Sequence, residues 1–444
     1  MMSRIITIHP VKETHRYGFE TTQLYRAKVA RYLGVDYIHL ATSPQVRPDW
    51  KKEIMALGFL EEEIVNVPNS FSDIGHDALS VKLEDLTLQE GDQVEVTEEG
   101  FVSAVTLADG TGRYFYTSGS YLFEDFQMGE LRWYHGNGEL VLRARFMDPF
   151  KEPTPVSLFY PGYIYLKDGE FCSEDDLVVS YLAKNAKQTD LIIRDQHIVP
   201  APSIFRFMEN TEKNYYEVIH ENVLRNMALA NLRGKTDYLV ASEVLTTELA
   251  KQGYSTKFLP PMVTQVKQSP KVIGPVTNYC VVGNMSELKN VEWIIEVFIA
   301  LHLAGLKSTV TFYGGSEERI EELKQKYEIP ENIIFKGIVE KVPYHLHQAY
   351  LSSSYSELFA NACVEAMSEG LLALLSNVDI AHRYYAKQTD GIQLFSTKKE
   401  LLEMIERMEQ EEYQQSNEQN LELAKQYSIE NVANIYRELL GMEA

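Results

Sequence analysis

Short runs of apolar and β-branched residues alternate with amphipathic helical segments over most of this chain. The first example is "RIITIHP" at 4–10, which is followed by the helical pattern "FETTQLYRAKVARYLG" at 19–34 and then by "VDYIHLATS" at 35–43. A buried strand, a helix and a second buried strand in this order form the βαβ unit of a parallel sheet. The pattern therefore predicts an α/β protein in which helices pack on parallel sheets.

A second set of such units follows a break. "NYCVVGN" at 278–284, "STVTFYGG" at 308–315 and "NIIFKG" at 332–337 are strand-like runs that longer helical patterns separate. The stretch "FLPPMVTQVKQSPKVIGP" at 258–275 is rich in proline and has little periodicity, as is typical of a linker. Because 444 residues suffice for two or three domains, we predict two Rossmann-like domains that face each other across a cleft.

Between 90 and 174 the pattern changes to an alternation of period two, rich in aromatic residues. Turn signals occur near Asp109-Gly110, at "GNG" (136–138) and at Asp168-Gly169. This predicts an inserted antiparallel β-meander. The predicted domains are 1–89 with 175–265 for the first Rossmann-like domain, 90–174 for the inserted sheet, 266–425 for the second Rossmann-like domain, and 426–444 for a closing helix that could cross back to the first.

The net charge restricts the possible binding partners, and the cysteine content restricts the cellular compartment. The formal net charge of −22 argues against nucleic-acid binding, because the phosphate backbone would repel such a surface. The cysteines, Cys172, Cys280 and Cys363, form no CxxC pair, which predicts a reducing compartment and no structural zinc. No apolar run has the length of a signal peptide or membrane span. We therefore expect a cytoplasmic protein, for which peripheral membrane contact stays open.

The first candidate binding feature is "VVGNMSELKN" at 281–290. Gly283 follows a predicted strand, and Lys289 comes six residues later, just before a predicted helix. A lysine together with free backbone amides at a helix N-terminus can bind a diphosphate. The same arrangement occurs in ordinary loops, so this feature alone leaves both interpretations open.

The second candidate is "SELFANACVEAMSEG" at 356–370, in which Glu357 and Glu365 stand eight positions apart. On one continuous helix these acids would be separated by roughly 80°. If a loop leads into a helix near Asn361, Glu357 lies in the loop just before the helix N-terminus and Glu365 projects from the helix itself. The amides of Phe359, Ala360 and Asn361 would then face an anion. The alternative is two solvated acids on a surface helix.

A third candidate is His220, in "YEVIHEN" at 216–222. It follows a predicted buried strand, so its ring could donate a hydrogen bond to a sugar or a phosphate at the sheet edge. A histidine with a purely structural role is the alternative.

Together, these stretches resemble the bacterial retaining glycosyltransferases of the GT-B fold, in the glycosyltransferase-4 class. The signature E-G-F-x-N-x-x-x-E-A-M-x-x-G of that class reads "ELFANACVEAMSEG" at 357–370, and its G-R-x-x-x-x-K reads "GNMSELK" at 283–289. Two positions differ, since Asn284 replaces the arginine and Leu358 replaces the first glycine. A bidentate diphosphate contact is thereby lost, and a side chain at 358 restricts how closely the backbone can approach the sugar.

The first half of the chain has a narrower resemblance. "GFETTQLYRAKVARYLG" at 18–34, "VPNSFSDIG" at 67–75 and the meander look like the paired glycosyltransferases that attach N-acetylglucosamine to serine-rich surface adhesins of Gram-positive bacteria, and like their teichoic-acid glucosyltransferase relatives. In the adhesin system one subunit is catalytic, and a second of similar fold stabilises it and helps to bind the polypeptide. The resemblance thus implies a second GT-B subunit and a Ser/Thr-rich acceptor protein as partners.

The resemblance also implies a role for each candidate residue. Glu357 and His220 would be catalytic, and no metal would be needed. The donor would be UDP-N-acetylglucosamine or UDP-glucose. Its binding residues would be Lys289, Asn284, Gly283, Phe359, Ala360, Asn361 and Glu365. Three meander residues would contact the acceptor or the partner subunit, namely Tyr116, Trp133 and Tyr134.

Three functions are consistent with these features. The favoured one is a retaining glycosyltransferase, or a subunit of one, that acts on Ser or Thr of a cytosolic protein. The first alternative is an inactive stabilising subunit that binds the partner and the acceptor. The second is a teichoic-acid glucosyltransferase, although a polyanionic acceptor fits poorly with a charge of −22.

Overall fold

The chain divides into two compact units, Met1–Tyr216 and Glu217–Ala444. The computed structural model describes residues 3–9, 18–42, 50–71, 81–97, 99–116, 120–147, 162–167, 170–195, 202–211, 214–219, 236–378 and 380–442. The predicted domain boundaries are finer than this division and stay predictions. The turn predicted at Asp168-Gly169 and the candidate His220 lie outside the described residues.

The first unit contains a parallel sheet whose strands adjoin in the order β12-β1-β2-β3. These strands are β1 (Arg4–His9), β2 (Asp36–Ala41), β3 (Ile64–Asn66) and β12 (Leu191–Arg194). The helices among the described residues of the unit are α1 (Gly18–Leu33), α2 (Trp50–Ala56), α3 (Glu174–Asn185) and α4 (Pro202–Thr211). Gly34 follows the last residue of helix α1, and its φ of 68° is the left-handed conformation that glycine adopts most easily. The predicted βαβ start of the chain is confirmed.

An antiparallel meander of eight strands occupies the middle of the first unit, in the order β11-β10-β9-β8-β7-β6-β5-β4. Its strands are β4 (Gln93–Val96), β5 (Val102–Thr106), β6 (Gly112–Tyr116), β7 (Ser120–Asp125), β8 (Glu130–His135), β9 (Leu140–Met147), β10 (Gly162–Lys167) and β11 (Glu170–Ser173). The inserted meander that the period-two alternation predicts is therefore confirmed.

The two faces of the meander differ in burial. One face packs into the core of the first unit through Phe115, Leu122, Trp133 and Leu142. The opposite face carries a layer of aromatic rings, which we call the tyrosine face: Tyr114, Tyr116, Tyr121, Phe123 and Tyr134.

The prediction that Trp133 contacts a partner is wrong. Its side chain is fully buried, and its indole nitrogen donates to Oδ1 of Asn69 at 2.8 Å. Trp133 and Tyr134 are consecutive residues of one strand, so their side chains point to opposite faces of the sheet. Of the three predicted contact residues, Tyr116 and Tyr134 lie on the tyrosine face, and Trp133 does not.

The second unit begins with three parallel strands, β13 (Asn214–Ile219, which runs across the division), β14 (Asp237–Val240) and β15 (Ser255–Phe258). Its main sheet has six parallel strands in the order β19-β18-β17-β20-β21-β22. These are β17 (Asn278–Val282), β18 (Thr309–Tyr313), β19 (Ile333–Gly337), β20 (Ala349–Ser352), β21 (Leu372–Ser376) and β22 (Ile392–Phe395). A short antiparallel pair, β16 (Val272–Ile273) and β23 (Gln415–Ser416), lies outside this sheet.

Eight helices of this unit fall among the described residues: α5 (Glu243–Lys251), α6 (Val291–Leu303), α7 (Glu317–Lys326), α8 (Asn361–Ser368), α9 (Ile380–Ala386), α10 (Lys398–Met408), α11 (Glu418–Lys425) and α12 (Ile429–Leu440). Helix α6 contributes Ile294, Ile295 and Phe298 to the core beneath the six-stranded sheet. The closing helix α12 is capped by Ser428. The residues just before it are held by Thr264, whose amide donates to the carbonyl of Tyr427 at 2.7 Å.

Candidate functional site

Three neighbouring strands of the six-stranded sheet bring their carboxyl ends together. Strands β17, β20 and β21 lie side by side and run parallel. The chain continues from them into Gly283, Ser353 and Asn377 respectively. Ligands of open α/β sheets bind at this edge, because the loops and the helix N-termini converge there. Both sequence motifs begin in loops at this edge, and the second continues into helix α8.

The structure places Lys289 against Glu357. Lys289 ends a short 3₁₀ helix (Glu287–Lys289), and its ammonium group forms an ion pair with Oε1 of Glu357. Both side chains are partly open to solvent, with 29% and 16% of their surface exposed. The stem of Lys289 runs beside Gly283, where an added Cβ would lie 3.7 Å from it. Lys289 and Glu357, which are 68 positions apart in sequence, thus bring the two motifs into contact.

Hydrogen bonds between the two loops fix this ion pair. The hydroxyl of Ser353 donates to the carbonyl of Asn290 at 2.7 Å, and the amide of Tyr355 donates to the carbonyl of Leu288 at 2.8 Å. Asn290 adopts the left-handed conformation, with φ of 48° and ψ of 37°, which turns the chain from Lys289 into helix α6. The loop that carries Lys289 is therefore joined, on both sides of Lys289, to the segment just before Glu357.

Glu365 lies in a different environment from Glu357. It projects from helix α8, and the hydroxyl of Tyr344 donates to its Oε2 at 2.9 Å. Burial raises the pKa of the Glu365 carboxyl above its usual range. A desolvated carboxylate with one phenol donor keeps lone pairs for further donors, such as ligand hydroxyls. Sequence reasoning missed Tyr344, since no signal in "VPYHLHQAY" pairs it with a residue 21 positions later.

Helix α8 begins where the loop and helix interpretation predicts. Ala360 has φ of 57° and ψ of 58°, and Asn361 is the first helical residue. The first amides of a helix have no intrahelical acceptor and carry its positive dipole end. The side chain of Phe359 is buried, however, with its ring 5.0 Å from that of Tyr427, and its carbonyl accepts from the hydroxyl of Tyr385 at 2.6 Å. Phe359 therefore fixes the loop by packing.

The two positions that differ from the family signature have other partners. Asn284 is exposed, and its Oδ1 accepts from the amide of Ser286 at 3.1 Å, so it shapes its own turn. Leu358 packs against a buried cluster of the second unit. The members of that cluster are Ile219, Tyr238, Val240, Leu245 and Leu249. Leu358 thus serves a packing function that glycine could not.

A small cavity adjoins this loop. Phe258, Leu358, Tyr384 and Tyr427 are among its lining residues, and its volume of about 10 Å³ is no larger than one water molecule requires. The hydroxyl of Tyr384 donates to the carboxylate of Glu243 at its rim. Within the described part of the chain, no group of three or more His, Cys, Asp or Glu residues could bind a metal ion. No described helix has the length and hydropathy needed to span a membrane.

Comparison with known proteins agrees with these motifs. Residues 267–427 match the family described as glycosyl transferases group 1. Two curated relatives are both named UDP-N-acetylglucosamine--peptide N-acetylglucosaminyltransferase GtfA subunit. The protein from Limosilactobacillus reuteri subsp. suis is 22% identical over 313 residues, which span 62% of this chain and 61% of that protein. The protein from Streptococcus gordonii is 22% identical over 416 residues, 80% of each chain.

Three solved structures are similar along 99% of both chains. A chain of a GtfA/B complex has a TM-score of 0.78 at 18% identity. The pneumococcal O-GlcNAc transferase GtfA, in complex with UDP and GlcNAc, has 0.67 at 15%, and a protein named TarM has 0.66 at 14%. At these identities the likeness shows the fold. The predicted GT-B fold is thereby confirmed.

Proposed function

We propose that this chain, whose residues 267–427 match the glycosyl transferases group 1 family, is a retaining glycosyltransferase, or a subunit of one, that uses a UDP-sugar. The observation that carries the proposal is the ion pair of Lys289 and Glu357 at the carboxyl edge of a parallel sheet. An ammonium group attracts a diphosphate, and the adjoining carboxylates accept hydrogen bonds from sugar and ribose hydroxyls. The donor sugar would be N-acetylglucosamine or glucose.

Each residue of the site has a defined task in this proposal. Lys289 would neutralise the departing diphosphate, which would compete with Glu357 for its ammonium group. Glu357 would position the sugar and stabilise positive charge at the anomeric carbon. Glu365, which burial and Tyr344 already hold in place, would accept the ribose hydroxyls. That His220 contacts the sugar or the acceptor stays a prediction. The transfer requires no metal in this scheme.

The acceptor would be a Ser/Thr-rich protein in the cytoplasm, and the partner a second GT-B subunit. Support comes from the relatives named GtfA subunit and from the likeness to a chain of a GtfA/B complex. The tyrosine face of the meander is our candidate for the contact surface. Its rings form stacked pairs, such as Tyr121 and Tyr134 with centroids 4.8 Å apart. Such rigid, amphipathic side chains are enriched in protein interfaces.

Two observations favour a second candidate, the stabilising subunit without activity of its own. Leu358 packs into an apolar cluster, so the loop lacks the glycine that would let a sugar approach its backbone. Asn284 supplies no positive charge where the family signature has arginine. In this candidate the site binds the nucleotide sugar weakly or not at all, and the tyrosine face carries the function.

Release of UDP from UDP-N-acetylglucosamine and from UDP-glucose tests the proposal. The purified chain is assayed alone and together with a second transferase subunit. Glu357→Gln is compared with Glu318→Gln, which changes an exposed glutamate of helix α7 in the same way. We expect activity that Glu357→Gln lowers at least about 100-fold and Glu318→Gln leaves unchanged, as loss of a group that stabilises transition-state charge requires.

The outcomes separate the two candidates. Activity that survives Glu357→Gln refutes the assignment of the site. Activity that appears only with the second subunit, and ignores Glu357→Gln in this chain, establishes the stabilising subunit instead.

A further inference from the structure

Arg319 is an arginine outside both family motifs whose side chain contacts the loop of Lys289. It lies in the first turn of helix α7, and its Nε donates to the carbonyl oxygen of Met285 at 3.1 Å. A terminal nitrogen of the same guanidinium donates to Oε1 of Glu292 at 3.2 Å. Met285 precedes Lys289 by four residues, and Glu292 follows it by three. One planar group thus holds the segment 285–292 at both of its ends.

This segment contains two backbone conformations that residues with a side chain adopt rarely. Met285 has φ of 55° and Asn290 has φ of 48°, both in the left-handed region that favours glycine. Such conformations persist only where the surrounding structure imposes them, and they are concentrated at ligand-binding sites. The side chain of Met285 is buried, and a Cβ added to Gly315 would lie 2.7 Å from its sulfur. Packing of Met285 and the hydrogen bond from Arg319 therefore impose the loop conformation together.

The guanidinium of Arg319 is itself fixed in place. Its other terminal nitrogen donates to Oε2 of Glu322, one turn further along helix α7, at 3.0 Å. Glu292 accepts a second hydrogen bond, from the hydroxyl of Tyr327 at 2.9 Å, and forms an ion pair with Lys326. Arg319 and Glu292 expose only 25% and 27% of their side-chain surface. The contact between helix α7 and the loop is therefore a network, whose geometry is better determined than that of a single exposed ion pair.

The loop of Lys289 is thereby held from both neighbouring strands. Helix α7 follows strand β18 and the loop of Glu357 follows strand β20, and these two strands flank β17, after which the loop of Lys289 begins. Arg319 contacts the segment from the first side, while Ser353 and Tyr355 contact it from the second. Contacts on two sides thus place the ammonium group of Lys289.

We propose that Arg319 is a positioning residue, which holds the segment 285–292 in the conformation that presents the ammonium group of Lys289 to a diphosphate. This inference rests on the proposed function and adds to it a residue that acts through Lys289. Asn284 supplies no charge in this loop, so affinity for the diphosphate depends the more on Lys289 and on how completely its loop is ordered in advance. A loop that populates the binding conformation only part of the time lowers the apparent affinity by that fraction.

Two measurements separate positioning from a general effect on stability. Ligand-observed NMR titration, which also covers weak binding, gives the Kd for UDP of the wild type, Arg319→Gln, Lys289→Ala and the double variant. Hydrogen exchange of the ligand-free chain, measured by mass spectrometry, compares the segment 285–292 with strand β21 of the same sheet. Arg407→Gln, which changes an exposed arginine of helix α10 in the same way, is the matched control.

We expect Arg319→Gln to raise the Kd for UDP roughly 3- to 10-fold, and to speed exchange in the segment 285–292 at least about fivefold more than in strand β21. In the Lys289→Ala background the same substitution should change the Kd less than about twofold, because no ammonium group is left to position. Arg407→Gln should leave both quantities unchanged.

The inference is overturned if Arg319→Gln binds UDP as the wild type does, if exchange in the segment 285–292 is unchanged, or if the loss of affinity is equally large in the Lys289→Ala background. If Lys289→Ala abolishes binding, the exchange rates and the Kd of Arg319→Gln decide alone. If Arg319→Gln does not fold, Arg319→Lys, which keeps the charge but offers a single nitrogen, takes its place under the same criteria. A wild-type chain that does not bind UDP marks failure of the proposed function, whereas failure of this inference alone leaves wild-type binding intact.

Discussion

Replacing Trp133 by Phe tests whether the buried face of the meander is assigned correctly. The substitution deletes the indole N–H that donates to Asn69 at 2.8 Å and the outer part of a ring system that is fully buried. Loss of one neutral hydrogen bond costs about 1 kcal/mol, and an unfilled space of a few carbon atoms adds about 1 to 2 kcal/mol. We therefore expect the free energy of unfolding to fall by about 2 to 3 kcal/mol.

The assay is differential scanning calorimetry of the whole chain. For a unit of 216 residues this loss corresponds to a fall in melting temperature of about 5 to 10 °C. Tyr134→Phe is the matched control, because it removes one polar group from the adjacent aromatic residue on the tyrosine face. Its effect should stay within about 0.5 kcal/mol, as for other surface changes. The assignment of faces is refuted if both variants have the melting temperature of the wild type, or if Tyr134→Phe lowers it more than Trp133→Phe does.

Two further predictions concern the site. Glu365→Gln should stabilise the chain at pH 7 by about 0.5 to 2 kcal/mol, because it removes a partly buried, desolvated charge whose position serves binding. Since burial raises the folded-state pKa of Glu365, its cost is absent below the unfolded value of 4.5 and sets in as pH rises towards the folded-state value. Urea unfolding from pH 4 to pH 8 should show the gain only in the upper range, and an equal gain at pH 4 would contradict it. Gly314→Ala should destabilise the chain by about 1 to 3 kcal/mol more than Gly305→Ala and should weaken UDP binding, because its Cβ would lie 2.1 Å from the carbonyl oxygen of Gly283. Both glycines have positive φ, but nothing lies within 4 Å of a Cβ at Gly305, so equal unfolding curves would refute the steric argument.

The order of strands and helices follows from patterns of short range, which explains why the sequence predicts it well. Helix Val291–Leu303 coincides with the apolar spacing of "VEWIIEVFIALHLAG", and strand Asn278–Val282 with "NYCVV". The start of helix α8 at Asn361 also matches the interpretation of "SELFAN" as a loop. Each of these depends on local periodicity and on turn chemistry.

Contacts that depend on the packing of distant segments could not be predicted in this way. Alternation along strand β8 shows that Trp133 and Tyr134 face opposite sides, but it does not say which side a neighbouring layer covers. Tyr344 precedes strand β20, and Glu365 follows it on helix α8. The two side chains form their hydrogen bond only because the folded chain brings these segments together.

The most direct test of the account is calorimetric titration of UDP into the wild-type chain, Lys289→Ala and Lys336→Ala. Lys336 is exposed on strand β19 and controls for the loss of one positive charge. A charge-assisted contact with phosphate is worth about 1.5 to 3 kcal/mol, so Lys289→Ala should raise the Kd roughly 10- to 100-fold and Lys336→Ala should leave it unchanged. A wild-type chain that does not bind UDP, or an Lys289→Ala variant that binds it equally well, would contradict the proposal that the Lys289–Glu357 pair forms a nucleotide-sugar site.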